Sequence, residues 1–169
     1  SYCLVVEELA KASFPVAAIV GVGTSFGQVP ILEWGTEEQK ERYITRCVKG
    51  ELLGVLGITE PNHGSDPASM ETMAVHKDGH WVVNGAKMFC SGASVADFVN
   101  SCAQTQKGAR HKGIIAFTVN QGTPGFTVRE IPGHLGFHGF PTCQLFYEDC
   151  RIPEENILGK PGEGFKVMM

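Results

Sequence analysis

The sequence predicts an α+β chain in which helices come first and a sheet follows: a helical segment, a mostly antiparallel β-barrel or sandwich, and the start of a second helical domain. Three observations predict it. Apolar residues recur at helical spacing up to about residue 50. From Leu52 onward they fall into short runs separated by turn residues, the pattern of strands and hairpins. The two patterns do not alternate, so helices and strands are segregated along the chain instead of interleaved as βαβ units. The expected divisions are residues 1–50, the end of one helical domain; 51–160, a β domain; and 161–169, the start of a second helical domain.

Each element has a local cause. Residues 2–12 set Leu4, Val5, Leu9 and Ala12 among Glu7, Glu8 and Lys11, as an amphipathic helix does. Residues 14–26 carry no charge and predict a more buried helix, with Pro15 suited to its first turn. A short apolar piece, 28–34, ends at Gly35. Thr36 and Gln39 form a capping box for a helix running to about Val48, with Tyr43, Ile44 and Cys47 on one face. The expected strands are 53–58, 72–77, 81–84, 87–90, 97–104, 113–120, 126–131 and 144–148. Asp78-Gly79 predicts a hairpin, because a type I′ turn needs positive φ at both central residues. Asn84-Gly85 reads as another turn. Residues 106–112 read as a solvated loop and 159–164 as a linker, after which Phe165 opens a helix.

At 169 residues the chain can bury one good core, or one domain with a fragment of a second. A hydrophobic content of 43%, 19% charged residues and a net charge of −4 describe an ordinary globular protein. Fourteen Lys and Arg against eighteen Asp and Glu leave no basic footprint for nucleic acid. No run approaches about 18 continuous apolar residues, so no membrane span is expected. The cysteines at 3, 47, 90, 102, 143 and 150 form no C-x-x-C pair, which predicts reduced thiols in a bacterial cytoplasm or mitochondrial matrix. The cysteines show no metal-ligand spacing, and no metal site is expected. The chain opens on Ser1-Tyr2 and ends at Met168-Met169 as a helix begins, which reads as part of a longer protein.

The chemistry concentrates in two stretches. Ile58-Thr59-Glu60-Pro61-Asn62-His63-Gly64-Ser65-Asp66 is a polar loop after an apolar run, with a glycine that lets the chain approach a ligand and hydroxyls at either end. Taken alone, it suits a ligand cradle or a plain connector. About twenty residues on, Asn84-Gly85-Ala86-Lys87-Met88-Phe89-Cys90-Ser91-Gly92 offers an aromatic and a hydroxyl at the end of a strand. No G-x-G-x-x-G follows a strand, so a Rossmann-type dinucleotide site is not expected.

Together the two stretches resemble the flavin-binding segments of the acyl-CoA dehydrogenase family: a TEP loop closing on GSD, and an NG-x-K strand ending in an aromatic, a spacer and a hydroxyl. Further matches flank them. They are Phe26-Gly27-Gln28-Val29-Pro30-Ile31, Gly35-Thr36-Glu37-Glu38-Gln39-Lys40 and Gly50-Glu51 before the loop, and Thr123-Pro124-Gly125-Phe126, Leu135-Gly136, Glu148-Asp149, Ile152-Pro153 and Gly162-Glu163-Gly164-Phe165 behind it. The resemblance implies FAD held by Leu56, Ile58, Thr59, Gly64, Ser65, Phe89, Cys90 and Ser91, with Ser65 also touching an acyl-CoA thioester. Thr59 would serve the pyrimidine edge of the flavin, Ser91 the N5/O4 side, and Phe89 the face away from substrate. The implied reaction removes an α-proton from the acyl-CoA and passes a hydride to the flavin, which then reduces an electron-transfer flavoprotein. The family's glutamate base belongs to a C-terminal helical domain and is expected beyond Met169, while Glu60 reads as structural. A homo-oligomer, tetramer or dimer, is implied as well.

The chain also departs from the family pattern. Asn62-His63 stand where Gly and Ala are usual, Phe89 and Ser91 replace the commoner Trp and Thr, and His138 and Phe140 occupy positions of Arg and Ser/Thr. His63 lies where it could pair with a phosphate of FAD or CoA, or simply face solvent. Phe26 and Gln28 are candidates for the pocket wall. Two rival readings stay open: a non-catalytic acyl-CoA- or protein-binding module of the same fold, and an oxidase using the same flavin site.

Overall fold

A computed structural model describes all residues from Ser1 to Met169. Helix α1, Tyr2–Ala12, lies against α2, Phe14–Trp34, which runs unbroken where the sequence suggests two pieces. The difference lies in the stretch Gly23–Gln28, whose turns are wider than α-helical. Such turns shift the hydrogen-bond register without ending a helix, and they carry the chain through Gly27 to Pro30. Helix α3 spans residues 37–48 and begins at the expected capping box: Thr36 Oγ1 accepts from the Gln39 N–H, and Gln39 Oε1 accepts from the Thr36 N–H. Helix α4, Gly164–Met168, closes the chain.

By length and hydropathy α2 could cross a membrane, contrary to the expectation from continuous apolar runs, because Thr24, Ser25 and Gln28 interrupt the run without adding charge. Here one of its faces packs on the sheet while Phe14, Val16, Phe26, Val29 and Leu32 stay exposed. Gly27 rests so closely on β1 that a Cβ would run into the Gly54 carbonyl, and Ile31 is fully buried.

The strands are β1 Gly54–Gly57, β2 Met73–Lys77, β3 His80–Ser91, β4 Phe98–Gln104, β5 Ile114–Asn120, β6 Phe126–Glu130, β7 Thr142–Pro153 and β8 Ile157–Leu158. They form one sheet in the order β6-β7-β3-β2-β4-β5-β8, with β1 beside β4. Pairing is antiparallel except for β1 with β4 and a one-residue contact of β2 with β4, Met73 to Gln104. The sheet curls around a core that takes Val55, Ala74, Val83, Val99, Phe117, Leu145 and Tyr147 from six different strands. Phe117 and Tyr147 meet edge to face across it, on strands that are not neighbours.

Strand β4 is buried on both faces. Val99, Ser101 and Ala103 point into the curled sheet, while Phe98, Asn100 and Cys102 face the helices, where Phe98 and Cys102 join Ile31, Tyr43 and Cys47 in a second apolar cluster. This explains why its seven residues show no alternation of polarity.

Two strand expectations change, and one short strand is added. Residues 81–84 and 87–90 belong to the single strand β3, and Asn84-Gly85 is a bulge within it. The cause is β7: Asn84 Nδ2 donates to Asp149 Oδ1 and the Asp149 N–H donates back to Asn84 Oδ1, so the polar pair is absorbed across the ladder. Strand β7 is longer than 144–148, because pairing with the long β3 extends it at both ends. Strand β8 has only two residues, too few to leave a periodic signal.

Candidate functional site

The loop after β1 is locked before any ligand is considered. Glu60 and His63 exchange backbone hydrogen bonds of 2.9 and 3.2 Å, closing the turn over Pro61-Asn62. The Met88 N–H donates to the Thr59 carbonyl at 2.7 Å, which ties the loop to β3. Beneath it, Lys87 Nζ donates to Glu60 Oε1 at 2.8 Å, both side chains buried. The Glu60 carboxylate also accepts from the N–H groups of Glu71 and Thr72. Burial alone would raise the Glu60 carboxyl, but the Lys87 ammonium and these hydrogen bonds outweigh it and hold it below the usual carboxylate range. Glu60 is therefore a structural anchor, as its place in the turn suggests.

Strand β3 contributes the opposite wall. A register shift between Lys87 and Cys90 places Phe89 at φ +58°, with 61% of the residue exposed. An aromatic rarely adopts that conformation. It swings the ring out of the sheet while Lys87 and Cys90 stay buried. Ser91 follows, half-buried, and then Gly92 at φ +76°, where a Cβ would run into the ring of Phe140. The Gly92 N–H donates to the Pro141 carbonyl at 2.7 Å. Phe140 thus supports the corner from below through buried packing, which explains its place in the 132–141 loop; His138 stays exposed on that loop.

Between loop, strand and α2 lies a cavity of about 230 Å³ lined by Val22, Phe26, Leu56, Ile58, Thr59, Met88, Phe89, Cys90 and Ser91. It brings together six of the eight residues singled out from the sequence, and Phe26 with them. Gly64 and Ser65 lie outside it, exposed on the outer part of the loop, and Gln28 faces a different depression. Val22 and Met88 were not foreseen. Val22 sits four residues before Phe26 on α2, a spacing that could have signalled a shared face, whereas Met88 depends on the bulge. Burial pushes the Cys90 thiol up to about 12 against the opposing pull of Lys87, so it stays protonated. The lining contains no carboxylate.

On the far side of the loop, His63 lines a larger cavity of about 670 Å³ with Ser69, Glu71, Gln104, Lys107 and Arg110. His63 Nε2 is 3.4 Å from one oxygen of Glu71 and Asn62 Nδ2 donates to the other at 3.1 Å, so both unusual loop residues are tied to the same carboxylate. Arg110 bonds both oxygens of Asp66, at 3.1 and 3.2 Å, on the surface. All six cysteines are free thiols.

Comparison with known proteins agrees with this architecture. The acyl-CoA dehydrogenase N-terminal domain family matches residues 1–51, and the acyl-CoA dehydrogenase middle domain family matches residues 55–150. An acyl-CoA dehydrogenase of Bacillus subtilis (strain 168) is 41% identical over 169 residues, 100% of this chain and 45% of the relative. The butyryl-CoA dehydrogenase structure from Megasphaera elsdenii superposes with a TM-score of 0.92 at 39% identity, covering 96% of this chain and 43% of that one. A chain in the structure of the electron transferring flavoprotein of Acidaminococcus fermentans gives 0.93 at 39% identity, covering 96% and 43%. The chain thus spans less than half the length of the relatives it matches. With both domain families matched in order and the fold superposing throughout, the chain belongs to the acyl-CoA dehydrogenase family.

Proposed function

We propose that the complete protein is an FAD-dependent acyl-CoA dehydrogenase and that residues 1–169 supply one side of its flavin and thioester site. The observation that carries this reading is the convergence of Thr59, Phe89 and Ser91, from two distant stretches, on one apolar cavity.

The residues present fit a flavin. An isoalloxazine ring has polar edges and an apolar plane. The hydroxyls of Thr59 and Ser91 make no hydrogen bond within the protein, the Phe89 ring stands clear of the sheet, and Leu56, Ile58 and Cys90 give apolar cover. Thr59 with the backbone at Ile58 would hold the pyrimidine edge, Ser91 the N5/O4 side, and Phe89 the face away from substrate. Gly64 and Ser65, on the outer loop, would meet both cofactor and thioester. When bound, FAD supplies the hydride acceptor. The α-proton needs a base from outside residues 1–169, since no acid lines the cavity and Glu60 is engaged by Lys87. In the larger cavity, His63, Lys107 and Arg110 offer groups for the phosphates of FAD or CoA. An electron-transfer flavoprotein as acceptor and a dimeric or tetrameric assembly complete the proposal.

The test is purification of the complete protein. Release of FAD on denaturation, and bleaching of the flavin absorbance by an acyl-CoA without oxygen, are expected. A colourless protein that binds acyl-CoA would favour the non-catalytic module, and stoichiometric hydrogen peroxide in air would favour an oxidase.

A further inference from the structure

Asn100 sits on β4 with its side chain fully buried and turned toward α2. Its Nδ2 donates to the carbonyls of Phe26 and Gly27, each at 2.9 Å, and its Oδ1 accepts from Thr118 Oγ1 at 2.8 Å. The helix needs those donors. Turns through Gly23–Gln28 are wide, and Pro30, four residues after Phe26, has no N–H to return to the Phe26 oxygen. The partly buried Phe26 carbonyl needs a partner elsewhere, and Asn100 supplies a donor to it and to the neighbouring Gly27 carbonyl.

The turn so held faces the candidate site. Phe26 and, one turn earlier, Val22 are the α2 side chains that line the apolar cavity opposite Met88 to Ser91. Leu56, also in the lining, is the register partner of Asn100 across β1 and β4. Gly27 meets Gly54 backbone to backbone, so α2 cannot move inward here, and Asn100 keeps it from moving outward.

We infer that Asn100 is a positioning residue that sets acyl-chain selectivity: it clamps the widened turn of α2 to β4 and thereby fixes Val22 and Phe26 as the wall across from Phe89, on the substrate side of the flavin, where an apolar acyl group would lie. This rests on the acyl-CoA reading above and deepens it. A buried asparagine that served stability alone would, on removal, lower activity toward all thioesters alike. A clamp on the cavity wall alters the ratio between them, because hydrophobic pockets discriminate chain lengths by fit.

The experiment uses the complete protein with Asn100→Ala, Phe26→Ala, their double variant and Thr118→Val, assayed with short and medium straight-chain acyl-CoA thioesters. Asn100→Ala is expected to change the kcat/KM ratio between the two lengths by about fivefold or more, in the same sense as Phe26→Ala, with little added by the double variant. A uniform fall with an unchanged ratio overturns the inference. If Asn100→Ala does not fold, Thr118→Val, which removes only the hydroxyl steadying Oδ1, decides by the same ratio, with a shift of about twofold expected and none overturning it. If the wild-type flavin responds to no thioester, the acyl-CoA reading itself has failed. The clamp is then judged by amide exchange in Thr118→Val or Asn100→Ala: faster exchange confined to residues 23–29 supports it, and unchanged exchange there overturns it.

Discussion

Lys87 Nζ stands 2.8 Å from Glu60 Oε1, and neither side chain reaches solvent. The contact joins the loop after β1 to β3, the two stretches whose residues line the cavity. It gives the lysine of the NG-x-K stretch and the glutamate of the TEP turn one shared task. Removing only Lys87 would strand a buried carboxylate. Lys87→Met is expected to destabilise the protein by about 3–5 kcal/mol in urea unfolding, and Lys87→Met with Glu60→Gln by clearly less. A single variant within about 1 kcal/mol of wild type would mean that the pair does not hold the loop.

The same pair predicts acid sensitivity. Glu60 has a folded-state pKa below its unfolded value of about 4.3. Folding therefore favours the ionised form: the contribution is complete above that value and is lost as pH falls through the lowered folded pKa. Unfolding free energy of the wild type should fall more steeply below about pH 4.3 than that of the Lys87→Met, Glu60→Gln double variant. Parallel curves would remove Glu60 as the cause.

Gly92 and Phe140 make a second, apolar coupling. Phe140 is buried, its ring lies where a Gly92 side chain would go, and it meets Phe137 at 5.7 Å, which in turn meets Phe14 at 4.9 Å. Gly92→Ala adds volume and also needs positive φ; it should cost about 1–3 kcal/mol from overpacking. Phe140→Ala should cost about 3–5 kcal/mol through the cavity it leaves. Melting curves of the two variants check this, and neutral behaviour of Gly92→Ala would show that the 132–141 loop yields.

Much of this architecture could be read in advance because its causes are local. The capping box at Thr36 and Gln39, the Asp78-Gly79 hairpin and the helix-to-sheet order depend on neighbours in sequence, and the structure contains all three. What escaped depends on partners far along the chain. The bulge at Asn84-Gly85 exists because Asp149 answers Asn84 from β7, and the unbroken α2 because Asn100 answers the Phe26 carbonyl that Pro30 leaves free. In the site, Thr59, Phe89 and Ser91 came from the resemblance of two stretches to family motifs, and the structure brings them to one cavity. The Lys87–Glu60 pair and the Asn100 clamp were invisible, since a lysine or asparagine in a strand gives no sign of being buried.

The acid-free lining of the cavity has a kinetic consequence. With Glu60 consumed by Lys87 and the Cys90 thiol protonated, nothing among the nine lining residues can take an α-proton near neutral pH. Residues 1–169 alone should turn over no acyl-CoA and should bind FAD more weakly than the complete protein. In the complete protein, Glu60→Gln should weaken folding without abolishing flavin reduction. Turnover by residues 1–169 would return Glu60 or His63 to consideration as the base.

Ser91 tests the cavity most directly. Ser91 is half-buried at the end of β3, its hydroxyl bonds to no protein group, and it is set by the Gly92 turn and the Phe140 ring beneath it. On the proposed reading, a donor there would meet the N5/O4 side of a flavin, orienting the ring and stabilising the negative charge that would arrive with hydride. Ser91→Ala should therefore weaken FAD binding or slow reduction by about 1 kcal/mol or somewhat more, the worth of one buried hydrogen bond. Ser91→Thr, which keeps the hydroxyl, should be tolerated. Flavin content, dissociation constant and single-turnover reduction rate of the complete protein separate the cases. If Ser91→Ala changed none of them while Phe89→Ala still lowered flavin affinity, the ring would be held by its face alone, and the polar end of β3 would be no more than the start of a turn.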